Sequence, residues 1–226
     1  MIDPLLAGGL LAAAAYCAST LLPFPGIHEA LASGALFRTP APWVALTFDD
    51  GPHPERTPRI LDALAAAGAL ATFFVVGRQA RRLPELVRRI AREGHTIGNH
   101  TDLHAWQPGL STRKIGQQID AAQAAVADVT GTLPSLVRPP WGHRDLRFYR
   151  ESAARGLTPV LWSLDSFDYL GLGPWRLCSR IRRARPGDVV LLHDASPRAA
   201  ATPDALPLAL RSFASACVPL GPVAAR

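Results

Sequence analysis

The residues with most chemistry to offer stand in five short clusters: "TFDDGP" at Thr47–Pro52, "HTDLH" at His100–His104, "RPPWG" at Arg138–Gly142, "LDSFDY" at Leu164–Tyr169 and "LLHD" at Leu191–Asp194. Two adjacent carboxylates, Asp49 and Asp50, end an apolar run, and Gly51 and Pro52 stop a strand there. Successive strand residues face opposite sides of a sheet, so the two acids cannot do the same job in regular β structure. They belong at a strand-to-loop turn, where a lone pair of this kind is a turn cap. In "HTDLH" the two histidines are four apart, a spacing that puts both imidazoles on one side of a helical turn, within reach of one ion. With a carboxylate from a neighbouring strand end they make a set of two histidines and one carboxylate with open positions, which a catalytic metal needs if it is also to hold water or substrate. Asp102, between the two, is expected to face away.

Elements of alternating type must position these clusters. "VALTF", "ATFFVVG", "HTIGNH", "SLV", "LTPVLWSLD" and "GDVVLLHD" read as strands. "TPRILDALAAAG", "LPELVRRIAREG", "STRKIGQQIDAAQAAVADVTG", "DLRFYRESAARG", "GPWRLCSRIRRAR" and "PDALPLALRSFASAC" read as helices, the third with Ser111 as N-cap and Gly131 as stop. The alternation implies a parallel sheet covered by helices, open or closed into a barrel. Five of the six strands then end in a polar group: Asp49 and Asp50, His100, Arg138, Asp165 and Asp168, His193 and Asp194. In parallel α/β folds those ends share one face, where sites are built. "DDGPHP" is neither a dinucleotide fingerprint nor a phosphate loop.

Taken in order, the five clusters resemble the motifs of the NodB-homology polysaccharide deacetylases, carbohydrate esterase family 4, from about Val44 to Asp194. The resemblance implies an α/β fold, a distorted and here incomplete (β/α) barrel, since "VPLGPVAAR" makes a poor last strand. It implies that Asp50, His100 and His104 hold one divalent metal ion, Zn2+ before Co2+ or Mn2+. Asp49 becomes the general base toward the attacking water and Arg138 its charged partner. A backbone N–H near Trp141 helps stabilise the oxyanion. His193 becomes the general acid, oriented by Asp168, with Asp165 as the other candidate for that task. Trp141, Tyr169 and Leu191 line a pocket for the acetyl methyl. One departure is Tyr169, where the family usually has tryptophan. The implied reaction removes N-acetyl groups from an amino-sugar glycan, such as a chitin oligomer or peptidoglycan, and releases acetate. Rival readings are an O-acetyl esterase or non-sugar amidase on the same machinery, and a catalytically silent glycan-binding domain.

The remaining sequence narrows the partners. The chain has 226 residues and a formal charge of +6, with Lys114 its only lysine. No basic stretch is interleaved with stacking aromatics, so nucleic acid is not expected. Cys17, Cys178 and Cys217 form no CxxC pair; a Cys178–Cys217 bridge and unpaired thiols both remain open. Residues 5–22 carry no charge and read either as a marginal membrane anchor or signal, or as an apolar helix packed on the domain. The division is then an N-terminal segment and Pro-rich linker over 1–42 and a catalytic domain over 43–226. A hydrophobic start and a basic surface favour an envelope glycan or lipid-linked sugar as substrate, and the cell envelope as location. His53, His95 and His143 read as surface or packing histidines, with His143 a candidate groove residue. Trp43, Trp106, Trp162 and Trp175 read as core rather than as sugar platforms, with Trp106, close to "HTDLH", kept open as a platform.

Overall fold

The first strand, β1 (Val44–Asp49), is buried along its whole length, so both of its faces meet packed side chains. The computed structural model describes residues 34–143 and 145–224. The expected apolar stretch 5–22 and Cys17 lie outside the described residues. After β1 come α1 (Arg56–Ala66), β2 (Thr72–Val75), α2 (Gly77–Arg82), α3 (Pro84–Arg92), β3 (Thr96–Asn99), α4 (Thr112–Thr130), β4 (Leu136–Val137) and α5 (Leu146–Ala153). The chain continues through β5 (Thr158–Pro159), β6 (Leu164–Asp165), α6 (Pro174–Ile181), β7 (Val189–His193), α7 (Thr202–Ser215) and β8 (Leu220–Gly221).

All the ladders are parallel, in the order β5-β4-β3-β2-β1-β7-β6, with β8 beside the start of β1. The sheet curls into a half-barrel whose two ends, β5 and β6, are not joined by a ladder. "LTPVLWSLD" is therefore not one strand but two short ones separated by the seam. "VPLGPVAAR" does supply a strand, with Val44 and Ala45 opposite Leu220 and Gly221. Residues 34–42, expected as linker, pack on the domain. Leu36 exchanges backbone hydrogen bonds with Pro159 and Leu161, and Thr39 N–H donates to the Gly187 carbonyl. The stretch thereby spans the seam from β5 to the approach to β7.

Period-two alternation sorts the core into two layers. Val44, Leu46 and Phe48 of β1, Phe73 and Val75 of β2, and Val190 and Leu192 of β7 join the outer layer beneath the helices. Ala45, Phe74 and Val189 join the inner cluster with Leu36, Leu136 and Val160. The same parity turns Thr47 and Asp49 of β1, and Leu191 and His193 of β7, toward the barrel interior. Each fully buried side chain of this size contributes roughly 1.5–3 kcal/mol, so the outer layer dominates the stability of the scaffold. Gly98 on β3 is required by packing, because a Cβ there would overlap the Phe74 ring.

The helices follow local rules. Ser111 Oγ accepts the Lys114 N–H at 3.3 Å, and Gly131 ends α4 at φ 72°. One helix, α2, falls on "GRQARR", which the alternating pattern assigns to no element. Cys178 is buried and Cys217 exposed, and both are free thiols. No helix of the described residues is long and apolar enough to cross a membrane.

Candidate metal centre and its flanking acid–base groups

Inward parity ends β1 on Asp49, and Asp50 then turns the chain at φ 77°. Gly51 follows because only glycine fits: a Cβ would overlap the carboxylate of Asp194, which is itself buried. Asp194 takes a hydrogen bond from Thr57 Oγ1 and its N–H donates to the Asp49 carbonyl, which ties the end of β7 to the turn after β1. Burial raises the Asp194 carboxyl to about 7, with Asp50 adding to the effect.

His100 leaves β3 with its ring fixed. Its Nδ1 lies 2.9 Å from the Arg138 carbonyl, an acceptor, so Nδ1 carries the proton and Nε2 is left as a lone pair. That Nε2 lies 3.5 Å from Asp50 Oδ1 and 3.7 Å from Asp49 Oδ2. His104 Nε2 lies 3.2 Å from the same Asp50 oxygen. Contrary to the helical turn expected from the spacing, "HTDLH" is a loop, with Thr101 and His104 at positive φ of 63° and 54°. Other contacts hold it. The Gly77 and Arg78 N–H groups at the start of α2 donate to the Thr101 and Asp102 carbonyls, and Leu103 N–H donates to Gln118 Oε1. Asp102 does face away, bonded to Arg81 at 2.6 Å.

Asp50, His100 and His104 thus offer one ligand atom each, all within 4.8 Å of one another. Asp50 Oδ1 is buried and has no hydrogen-bond partner, so the cluster is one positive charge short of satisfied. Burial alone would raise Asp50, but the neighbouring imidazoles of His100, His193 and His104 hold it well below the usual carboxylate range. Burial, with His100 alongside, lowers His104 to about 4, which leaves it neutral and able to ligate near neutral pH. The donor set fits a divalent cation of the zinc type.

Beside this cluster Arg138 is fully buried. Its Nη1 donates to Asp49 Oδ1 and to Thr47 Oγ1, each at 2.7 Å. Nε and Nη2 donate to the Val160 and Leu161 carbonyls just past β5, and the guanidinium lies 4.1 Å from the Phe74 ring centre. Burial pulls its pKa down against the opposing charge of Asp49, yet arginine stays the cation.

Across the β1–β7 ladder, Asp49 is in register with His193. His193 Nδ1 lies 2.7 Å from Asp168 Oδ1, while the His193 N–H and Thr202 Oγ1 both donate to Asp168 Oδ2. Asp168 is therefore the partner of His193, and Asp165 instead accepts the Phe167 N–H and the Tyr169 hydroxyl. Burial pushes His193 down, but the charge and hydrogen bond of Asp168, with Asp50 and Asp49 behind them, raise it to about 9. Tyr169 meets the His193 ring edge-on at 5.6 Å, and Leu191 lies one inward position below His193, 3% exposed. Trp141 closes the other side, 5.0 Å from the His104 ring, in a turn at φ 61°.

Asp194, marked by the sequence as a strand-end polar group, supports this site together with Thr47, Thr57 and Thr202; of the three threonines only Thr47, two residues before Asp49 on the inward face, was reachable by parity. His95 packs on Phe73 and His53 Nδ1 accepts N–H groups at the start of α1, as packing histidines do. Trp175, expected in the core, is instead 76% exposed, and Trp106, left open between core and sugar platform, is 47% exposed.

A polysaccharide deacetylase family model matches residues 38–160. A chitooligosaccharide deacetylase of Bradyrhizobium sp. is 39% identical over 156 residues, 68% of this chain and 71% of that protein. A peptidoglycan-N-acetylglucosamine deacetylase of Bacillus cereus is 36% identical over 66% of this chain, which spans only 55% of that relative. Among solved structures, the Bc1960 peptidoglycan N-acetylglucosamine deacetylase superposes with a TM-score of 0.80 at 31% identity, over 84% of this chain and 91% of that one. A family 4 carbohydrate esterase from Streptomyces lividans, in complex with acetate, gives a TM-score of 0.74 at 32% identity, over 81% and 93%. The clusters at the strand ends, the parallel half-barrel and these likenesses agree: the chain belongs to the polysaccharide deacetylase family of hydrolases, the NodB-homology enzymes.

Proposed function

We propose that the protein is a metal-dependent N-deacetylase of an N-acetylated amino-sugar glycan, with Asp50, His100 and His104 holding one divalent ion, Zn2+ first. The observation that carries this reading is the convergence of those three ligand atoms on a buried, unpartnered Asp50 oxygen, between a guanidinium-held carboxylate and a carboxylate-held histidine. When bound, the ion supplies Lewis acidity to the acetamide carbonyl and makes water acidic enough to lose a proton near neutral pH. Asp49 accepts that proton; Arg138 fixes its Oδ1, which leaves Oδ2 on the side of the centre. Charge develops on the carbonyl oxygen, and the backbone N–H near Trp141 donates to it. His193, kept cationic by Asp168, then protonates the departing amine. Leu191, Trp141 and Tyr169 give the acetyl methyl an apolar seat. Residues 43–226 are the catalytic domain in this reading, and the substrate is an envelope glycan or a lipid-linked sugar, with the cell envelope as the enzyme's location.

The test is metal content per chain together with acetate and new amine from chitin oligomers and peptidoglycan, beside the His100→Ala/His104→Ala double variant. About one zinc-like ion in the wild type, absent from the variant, with acetate and amine released together, is the expected result. Acetate without a new amine makes the protein an O-acetyl esterase. No metal in either protein after loading with Zn2+, Co2+ or Mn2+ overturns the mechanism.

A further inference from the structure

Away from the metal cluster, the stretch from Tyr169 to Gly187 carries five arginines and no acid. It leaves the short turn Asp168–Leu170 and runs through α6 toward β7. Leu177, Cys178 and Ile181 point inward, which fixes the face of α6 that looks out. That face carries Trp175, 76% exposed and the most exposed large apolar side chain among the described residues, with Leu170, 60% exposed, just before it. Arg176, Arg182, Arg183 and Arg185 are exposed around them, and none forms an ion pair among the described residues. Arginines on other helices do find acids: Arg59 meets Asp204, Arg89 meets Asp62 and Arg155 meets Asp120. The face is also preset. The Arg180 guanidinium lies 4.2 Å from the Phe167 ring centre, and its Nη2 lies 3.5 Å from the Asp165 carbonyl, so α6 is clamped to the turn that carries Leu170. An indole and a leucine left in water, ringed by unmatched cations, suit a boundary that is apolar on one side and anionic on the other.

We infer that this face docks on an anionic phospholipid bilayer, with Trp175 and Leu170 seated at the headgroup boundary and the arginines on lipid phosphates. Charge decides the occupant. A neutral glycan leaves the guanidinium groups unmatched, and a second copy of this chain brings like charge against like. A soluble polyanion matches the arginines but leaves the indole and the leucine in water. The face adjoins the acid–base groups, since Tyr169, next to Leu170, meets His193 edge-on at 5.6 Å. Docked in this way, the protein works at the membrane surface without spanning it. The inference goes beyond the deacetylase reading and does not depend on it.

The test mixes the full chain with vesicles of brominated phosphatidylcholine, with and without phosphatidylglycerol, and reads tryptophan fluorescence and co-sedimentation. Residues 1–42 hold no tryptophan, so lipid contact by that stretch adds no signal of its own. The wild type is expected to be quenched when phosphatidylglycerol is present. Trp175→Phe is expected to bind the vesicles but lose the quenching. Arg182→Gln/Arg183→Gln is expected to weaken binding at least about tenfold, whereas the same charge removed from α2 and α3 in Arg82→Gln/Arg92→Gln changes it less than about twofold. No quenching in the wild type, quenching unchanged in Trp175→Phe, or equal losses in the two double variants overturns the docking face. Binding to polyphosphate that Arg182→Gln/Arg183→Gln abolishes, without quenching by lipid, overturns it in favour of a soluble polyanion. A dimer in the absence of vesicles that Trp175→Ser splits overturns it in favour of a second copy. Acetate release enters none of these readouts, so the deacetylase reading stands or falls apart from them.

Discussion

The two ends of the sheet turn the chain by different means. Where helices return to strands, the left-handed positions are glycines: Gly68, Gly94, Gly131, Gly156 and Gly187 all have positive φ. Where strands run into the site, Gly142 and Gly171 are joined by five non-glycines in the left-handed region, Asp50, Thr101, His104, Trp141 and Phe167. Glycine adopts that conformation at no steric cost, whereas other residues lose about 1–3 kcal/mol each. The helix-to-strand turns are thus solved for stability alone. The opposite rim carries strain at Asp50 and His104, two of the three candidate ligands, because a side chain is needed there and glycine has none. Cys217, at φ 52° after α7, is the one non-glycine of this kind at the stable end among the described residues.

If the rim is strained for chemistry, its substitutions act on turnover before stability. The largest effect is expected for Asp49→Asn, which keeps the metal and loses at least about a hundredfold in kcat, read from acetate release beside metal analysis. Wild-type turnover in that variant would remove Asp49 as the base. Next is the pH profile. In the proposed mechanism His193 acts as an acid only while protonated, so activity is expected to fall as pH rises through its raised value of about 9. Asp168→Asn deletes the largest of the charges that raise it, so the alkaline limb moves to lower pH. A limb that stays in place assigns it to another group.

Two glycine substitutions sharpen the contrast further. Gly51→Ala drives a methyl into the Asp194 carboxylate, and is expected to cost about 1–3 kcal/mol of stability and to lower kcat by displacing Asp50. Gly131→Ala meets no atom within 4 Å but sits at φ 72°. It is expected to cost about 1 kcal/mol with kcat unchanged. Thermal melts and acetate release on both variants check the pair; a kcat loss in Gly131→Ala would break the separation of the two ends.

The strand ends were legible because alternation is a strict period and the polar residues fall at each terminus. Asp49, His100, Arg138 and His193 follow from it directly. Less was legible wherever the backbone answers to a distant side chain. "LTPVLWSLD" reads as one apolar run, and nothing local announces that the Val160 and Leu161 carbonyls turn to Arg138 instead of a strand partner. The four-residue spacing of His100 and His104 suits a helix, yet bonds from α2 and Gln118 shape a loop that brings the same nitrogens together. Asp165 and Asp168 sit three apart in an irregular stretch, where no periodicity says which one turns to His193. Trp175 was read as core on hydrophobicity, a scale blind to rings kept at the surface.

Arg138 joins two duties in one guanidinium: one nitrogen steadies Asp49, and two others hold the Val160 and Leu161 carbonyls where the chain leaves β5. Evolutionary decay would therefore be uneven. A descendant that abandoned turnover and kept only carbohydrate recognition could shed Asp50, His100 and His104 without opening the barrel, but would keep its arginine for the sake of the fold. Retention of Arg138 is thus a record of ancestry and architecture, while the ligand trio is the record of a living enzyme.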